Sequence, residues 1–154
     1  MIPSKNASVI IKKWEGFRPR PYNDIAGNAT IGYGHLMHLG IVTLADNKII
    51  WTEEHASTML EVVIIKIGQD LNNIIKVPVT QNEFDSLICW TYNLGIGSAK
   101  SSSWLTELNK GNYSIVPQKM QLWDKAKDKT GKLVEVEGLK ERRLDEATLF
   151  QKPQ

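Results

Sequence analysis

Residues 14–35 read WEGFRPRPYNDIAGNATIGYGH and separate two different patterns along the chain. Before them, apolar residues recur at helical spacing from Ala7 to Trp14, which predicts a helix over residues 4–15. Over residues 17–36, two prolines and three glycines predict short strands and turns instead of helix. The stretch therefore predicts the junction between an α-helix and a small antiparallel sheet.

Glu15 is predicted to lie in the last turn of this helix, because Gly16 is the residue type that ends helices in the left-handed conformation. The negative end of the helix dipole disfavours an ionised carboxylate there. The neighbouring Trp14 and Phe17 would desolvate it as well. Both effects favour the protonated carboxyl that a general acid requires. An isolated Glu, however, is usually a solvated surface residue.

Asp24 lies in the segment YNDIAGN, whose Asn, Asp and Gly residues predict a turn. An Asp in such a turn stays hydrated and ionised, so its environment differs from that of Glu15. A carboxylic acid beside a carboxylate is the pattern used for glycosidic bond cleavage. Thr30 can hold a water molecule near a base. Taken singly, Asp24 is equally explained as a turn former and Thr30 as a strand residue.

Eight residues separate Glu15 from Asp24, and five separate Asp24 from Thr30. This spacing, with the surrounding segments WEGFR, PYND and TIGYGH, resembles the catalytic pattern of phage-type lysozymes, glycoside hydrolase family 24. The resemblance continues through YNLG at 92–95, SSSWLTELNKG, Trp123 and GLKERR at 138–143. It covers almost the whole chain and leaves no room for a second module.

The resemblance implies a muramidase that cleaves the β-1,4 bond between N-acetylmuramic acid and N-acetylglucosamine, with inversion at the anomeric carbon. It implies that Glu15 is the general acid and that Asp24 is a base or electrostatic partner for a water that Thr30 helps to position. Inversion needs carboxyls about 6.5–9.5 Å apart and retention about 5–5.5 Å, a distance that a sequence does not give. No metal or other cofactor is expected.

Weaker candidates for substrate binding or support of the site are Tyr22, Gly32, His35, Asn93, Arg142 and Arg143. A structural role explains His35 as well as a substrate contact does, and Asn93 is also explained as a helix-end residue. One of the two arginines is expected to pair with Glu15, and the sequence does not choose between them.

The predicted fold is α+β and lysozyme-like, mostly helical, with a small N-terminal antiparallel sheet lobe and a cleft between two lobes. We expect a single domain over residues 1–154. Its expected parts are a sheet lobe at 16–51, a linking helix at 52–75, and a helical lobe at 78–154 that includes helix 4–15. Candidate strands are 18–22, 29–33 and a short one near Leu36.

In the helical lobe, Thr80-Gln-Asn-Glu83 is a capping box that begins an almost wholly apolar core helix. Gly95 and Gly97 are expected to end this helix. The later segments are predicted as a short helix at 101–109, a helix at 115–125, an exposed loop or weak hairpin at 126–138 and a last helix at 139–150.

The single cysteine, Cys89, excludes an internal disulfide and a cysteine-based metal site, and it is predicted to be buried. The N-terminus lacks the apolar core and cleavage site of a signal peptide, and no apolar run approaches membrane length. We therefore expect synthesis in the cytoplasm, of a bacterial host if the protein is phage-encoded. Action on the cell wall would follow holin-type release or delivery.

The expected partner is peptidoglycan, and positive charge at both ends of the chain would favour approach to an anionic wall. Binding to nucleic acid and stable membrane insertion are not expected, and a monomer is. Three alternatives stay open: a secreted antibacterial effector with the same chemistry, a catalytically inactive glycan-binding lysozyme fold, and a lytic transglycosylase that would use an acid without a water-activating Asp.

Overall fold

The computed structural model describes residues 1–127 and 130–153, which form helices and short antiparallel strands. The helices are α1 (Lys5–Glu15), α2 (Glu53–Ile74), α3 (Gln81–Ser101), α4 (Ser103–Asn109), α5 (Val116–Gln121) and α6 (Glu137–Gln151). The strands are β1 (Arg18–Asn23), β2 (Ala29–Gly32), β3 (His35–His38), β4 (Lys125–Lys127) and β5 (Leu133–Glu135). This content confirms the α+β class with a predominance of helix.

The chain divides into two compact units, and the boundaries fall inside α1 and α2. The sheet unit is Ile11–Val63. The helical unit consists of Met1–Ile10 together with the residues from Ile64 onward. Each unit has buried apolar side chains of its own.

The sheet unit contains the predicted three-stranded antiparallel sheet, in the order β1-β2-β3. Every residue of β2 is buried, whereas β1 and β3 are mostly half-buried or exposed. The central strand therefore carries the apolar face of the sheet, with Ala29 and Ile31 fully buried. The segment after β3 is a loop with a 3₁₀ turn at Asp46–Lys48.

The helical unit is built around α3, whose N-terminus has the predicted capping box. The Thr80 hydroxyl accepts a hydrogen bond from the Glu83 backbone N–H, and the Glu83 carboxylate accepts one from the Thr80 N–H. Residues 84–91 are all buried, which confirms the core helix, and Cys89 is among them. Trp90 packs edge-on against Trp104, with ring centroids 5.4 Å apart.

Of two predicted helix ends, one is right in part and one is wrong. The core helix breaks at the predicted Gly95, whose φ of +85° and ψ of 156° are not helical, but Gly97 does not end it, because a further helical segment follows to Ser101. The helix predicted over 115–125 ends at Gln121. The chain leaves the helix there because residues just beyond it pair as β4 with β5.

Because β4 pairs with β5, the segment 126–138 contains a hairpin and not an exposed loop. Asp128 and Lys129 lie outside the described residues. The last helix begins at Glu137, two residues earlier than predicted. Across residues 1–127 and 130–153, we find no helix with the length and apolarity that a membrane crossing requires.

Candidate active site

Glu15 is the last residue of α1, as its sequence context predicts. Gly16 follows with φ +67°, and its backbone N–H donates to the Lys12 carbonyl at 3.1 Å. This left-handed residue ends the helix and turns the chain into β1. The Glu15 side chain is half-buried, at the helix end where the exposed carbonyl groups concentrate negative potential.

The Glu15 carboxyl lies against the backbone of Gly34, in the turn between β2 and β3. A Cβ atom at Gly34 would lie only 2.8 Å from Glu15 Oε2 and 3.2 Å from its Cδ. Gly34 also has φ +78°, a conformation that side chains other than glycine rarely adopt. The turn therefore provides a backbone surface on which the carboxyl rests, and only glycine leaves room for it.

Asp24 opens a compact turn between β1 and β2. Its Oδ1 accepts a hydrogen bond from the Asn28 backbone N–H at 2.8 Å, and its own N–H donates to the Asn28 carbonyl at 3.0 Å. The Asp24 carbonyl also accepts from the Gly27 N–H at 2.9 Å. These bonds hold the carboxylate in one orientation at the end of β1.

Thr30 lies in β2 and is only 3% exposed. Its hydroxyl donates to the Asn28 carbonyl at 3.1 Å. Asn28 therefore contacts both Asp24 and Thr30, while its own side-chain oxygen accepts from the Gly40 N–H at 3.0 Å. The sequence analysis did not single out Asn28. Its position directly after Gly27 in the turn sequence D-x-x-G-N could have indicated it, because Asn stabilises turns through hydrogen bonds of its side chain.

Tyr22 interacts with all three candidate catalytic residues. It pairs directly with Thr30 across the β1–β2 ladder. Burial raises the pKa of its phenol most, and the negative charge of Glu15 raises it further. Arg18, whose guanidinium carbon lies 4.4 Å from the ring centroid, lowers that pKa, and Asp24 raises it. The Tyr22 hydroxyl therefore lies within electrostatic reach of both carboxyl groups.

Gly32 and His35 have structural contacts in the same unit. A Cβ atom at Gly32 would lie 3.0 Å from the Trp51 ring and 3.1 Å from the Ala56 Cβ, so the turn packs closely on these side chains. The His35 ring also lies on Trp51, with centroids 5.2 Å apart. Burial lowers the pKa of His35, and His55 lowers it further.

Asn93, Arg142 and Arg143 meet in the helical unit around a carboxylate that the sequence analysis missed, Glu146. Arg143 approaches Glu146 through Nε and Nη2, each 2.9 Å from a carboxylate oxygen, and Arg142 Nε lies at 3.3 Å. Arg143 Nη2 also donates to Asn93 Oδ1 at 2.9 Å. The sequence could have indicated Glu146, because it lies four residues after Arg142 and three after Arg143, on neighbouring positions of one helix.

This cluster is almost completely removed from solvent: Arg143 and Glu146 are both 0% exposed. Burial raises the pKa of the Glu146 carboxyl and lowers that of the Arg143 guanidinium, while the opposite charges of the pair limit both shifts. The prediction that Arg142 or Arg143 pairs with Glu15 stays a prediction.

The sheet unit alone thus holds a carboxyl at a helix end, a hydrogen-bonded carboxylate and a buried hydroxyl, associated through one tyrosine. Two carboxyl groups in different surroundings are what a glycoside hydrolase uses to donate a proton and to activate water. This group of residues is therefore the candidate active site.

Comparison with known proteins places the chain in a particular family. The family model of phage lysozyme matches residues 12–146. The endolysin of Acyrthosiphon pisum secondary endosymbiont phage 1 is 36% identical over 148 residues, which is 96% of this chain and 97% of that protein. The chain belongs to the phage lysozyme family and is a glycoside hydrolase that acts on peptidoglycan.

Two further matches agree with this family. The endolysin of Bacillus phage B103 is 34% identical over 92% of this chain, and the chain spans about half (51%) of the length of that relative. The solved endolysin from Escherichia coli O157:H7 phage FAHEc1 superposes with a TM-score of 0.85 at 37% identity, over 98% of this chain and 94% of that one. The lysozyme-like fold predicted from the sequence is confirmed.

Proposed function

We propose that this enzyme hydrolyses the β-1,4 bond between N-acetylmuramic acid and N-acetylglucosamine with inversion, and that it serves bacterial cell lysis. Glu15 protonates the leaving oxygen, Asp24 acts as the base or electrostatic partner of a water molecule, and Thr30 holds that water. The observation that carries the proposal is the position of Tyr22, which faces Thr30 across the ladder and has its pKa raised by both carboxyls.

The hydrogen bonds of Thr30 support its role toward water. Because its hydroxyl proton is donated to the Asn28 carbonyl, the remaining lone pairs can accept a hydrogen bond from a water molecule. Accepting from the water leaves the water's own lone pair free for attack on the anomeric carbon. A buried hydroxyl that is fixed in this way is preorganised for positioning.

The turn around Asp24 supports its role as the charged partner. The Asn28 N–H bonds to one carboxylate oxygen and thereby fixes the plane of the group. Since the Asn28 carbonyl accepts from Thr30, the same residue sets the positions of the base and of the water-holding hydroxyl. Inversion requires this base to act from the face of the sugar opposite the acid, with room for water between them.

The biological part of the proposal rests on the relatives that are named endolysins of phages. They support lysis of a host cell. Release by a holin-type protein and action on peptidoglycan as a monomer are further parts of the proposal. A secreted effector would use the same chemistry.

The test is product analysis of purified sacculi with the wild type, Glu15→Gln and a matched control, Glu61→Gln. Glu61 is an exposed carboxylate in the same unit, so its variant controls for the loss of one charge. A general acid contributes about 10²–10⁴-fold, so Glu15→Gln should lose at least ~100-fold in kcat while Glu61→Gln keeps it. Circular dichroism and glycan binding should stay at wild-type levels in both variants.

Each product separates one alternative from the proposal. An inverted anomer in the first turnover, resolved by NMR, supports the assignment, whereas a retained anomer contradicts it. An anhydro product in mass spectrometry identifies a lytic transglycosylase. Activity retained by Glu15→Gln means that another acid operates, and a wild type that binds glycan without turnover identifies an inactive binder.

A further inference from the structure

Four residues in the sheet unit contact one another in a group that the sequence analysis did not identify: Lys12, Tyr33, Glu53 and Ser57, here called the Tyr33 brace. Tyr33 is the central member and only 4% exposed. Its hydroxyl donates to Glu53 Oε1 at 2.6 Å, in the first turn of α2. This bond ties the turn between β2 and β3 to that helix.

Lys12 ties α1 to the same place. Its ammonium group lies 5.2 Å from the centroid of the Tyr33 ring and donates to the Ser57 hydroxyl at 2.8 Å. Ser57 in turn donates to the backbone carbonyl of Glu53 at 2.8 Å. The brace therefore joins three elements, α1, the β2–β3 turn and α2, through one buried ring and a chain of short hydrogen bonds.

Both ends of the brace adjoin the candidate acid. Lys12 precedes Glu15 by three residues on α1, which places the two on neighbouring positions of the helix surface. Tyr33 directly precedes Gly34, whose backbone lies against the Glu15 carboxyl. A shift of the helix relative to the turn would therefore change the position of the carboxyl directly.

We propose that the Tyr33 brace positions the general acid, by holding the end of α1 and the β2–β3 turn in the register that keeps the Glu15 carboxyl on Gly34. The brace touches no substrate in this scheme, so its members are positioning residues. The proposal rests on the assignment of Glu15 as the acid and adds the device that sets the location of its carboxyl.

The chemistry of the phenol suits a permanent brace. Burial first, and then the hydrogen bond to Glu53 and its negative charge, raise the pKa of Tyr33 to about 12, against an opposing hydrogen bond from Ser57. The hydroxyl therefore stays a donor well above neutral pH. The ring itself is held between the Lys12 ammonium and Phe17, whose ring centroid lies 5.7 Å away.

The test compares Tyr33→Phe with Tyr113→Phe. Tyr113 also donates a 2.6 Å hydrogen bond, to the Pro78 carbonyl in the helical unit, so both variants lose a phenol hydrogen bond of the same length. Both should lower Tm, Tyr33→Phe by more because its acceptor is a carboxylate. Because small displacements of catalytic groups are costly, Tyr33→Phe alone should lose about tenfold in kcat with KM within about twofold.

A second pair of variants distinguishes positioning from stability. Glu53→Gln keeps an acceptor oxygen and should keep most of the activity, whereas Glu53→Ala should behave as Tyr33→Phe does. Glu53 is exposed, so its variants decide the matter even if Tyr33→Phe does not fold.

A wild-type kcat in Tyr33→Phe and Glu53→Ala would overturn the brace as a positioning device, and so would an effect on KM alone. Failure of the underlying function is recognised separately: the wild type then shows no turnover, or Glu15→Gln keeps full activity. An active wild type, an inactive Glu15→Gln and an unaffected Tyr33→Phe would refute only the brace.

Discussion

Gly34 meets two requirements at one residue, a left-handed backbone and space for a carboxyl. Gly111 meets only the first. Gly111, with φ +82°, has no atom within 4 Å of the place where a Cβ would stand, whereas Gly34 has Glu15 Oε2 at 2.8 Å. Replacing each by alanine therefore separates backbone strain from displacement of the candidate acid.

We expect Gly34→Ala and Gly111→Ala to lose similar stability, roughly 1–2 kcal/mol each from the left-handed conformation. The end of the Glu15 side chain is flexible, so moving it costs little stability. A displacement of about 1 Å at a reacting group can nevertheless cost about 10²-fold in rate. Urea unfolding and turnover of sacculi check both parts; equal activity of the two variants would contradict the contact.

At the scale of elements, the loop after β3 is held by a cluster of His38, Thr43 and Asp46. Asp46 Oδ2 accepts from the backbone N–H and the hydroxyl of Thr43, both at 2.7 Å, and lies 2.9 Å from His38 Nε2. His38 Nδ1 lies 3.0 Å from the Leu39 carbonyl. Both ring nitrogens thus face acceptors, which only the imidazolium form can satisfy.

The cluster makes stability depend on pH in two windows. The pKa of Asp46 is lowered to about 2 by hydrogen bonds from the backbone N–H of Thr43, then from its hydroxyl and from His38. The stability that ionised Asp46 contributes is therefore present above about pH 4 and is lost as the pH falls toward 2. The Leu39 carbonyl, then Asp46, raise the pKa of His38. The stability that the His38 imidazolium contributes is present below about pH 6.5 and is lost as the pH rises through the raised pKa of His38.

We therefore expect His38→Gln to lower Tm most between about pH 4 and 6.5, and progressively less above that range, where the wild type has lost the imidazolium. Scanning calorimetry of both proteins from pH 4 to 9 measures the difference. A difference in Tm that stays constant over this range would show that His38 acts through packing and not through its charge.

At the scale of the whole molecule, the buried Arg142–Glu146–Arg143 cluster is the contact whose loss should matter most for folding. Its members lie on α6, and Arg143 also reaches Asn93 on α3. The Ser86 hydroxyl on α3 donates to the Glu146 backbone carbonyl at 2.6 Å. The ionic cluster thus coincides with the packing of the two helices.

Glu146→Ala would leave two buried guanidinium groups without their carboxylate. Breaking a buried ion pair in this way costs about 3–5 kcal/mol, a large part of the roughly 5–15 kcal/mol that stabilises an ordinary domain. Asp70→Ala, which removes a surface pair with Lys66, should cost less than about 1 kcal/mol. Urea titrations compare the two, and a similar small loss in both would show that the buried cluster does not stabilise the fold.

The sequence by itself determined the elements and their ends where local chemistry is decisive. The left-handed glycine after Glu15, the capping box at Thr80 and the dense Pro and Gly residues of the sheet unit all act through the backbone of their immediate neighbours. The spacing of Glu15, Asp24 and Thr30 then allowed the family to be recognised. Gly95 was correctly predicted to break the core helix, because its left-handed φ interrupts helical geometry, whereas the helical segment that follows it up to Ser101 was not predicted.

Only the tertiary structure decided which distant residues meet. The closeness of Gly34 to Glu15, the brace at Tyr33 and the pairing of His38 with Asp46 depend on how strands and helices come together. Side-chain chemistry alone allows each polar group many partners, since hydrogen bonds and ion pairs have little preference for sequence separation. Packing of the buried residues selects one partner for each, and that selection is a property of the folded chain.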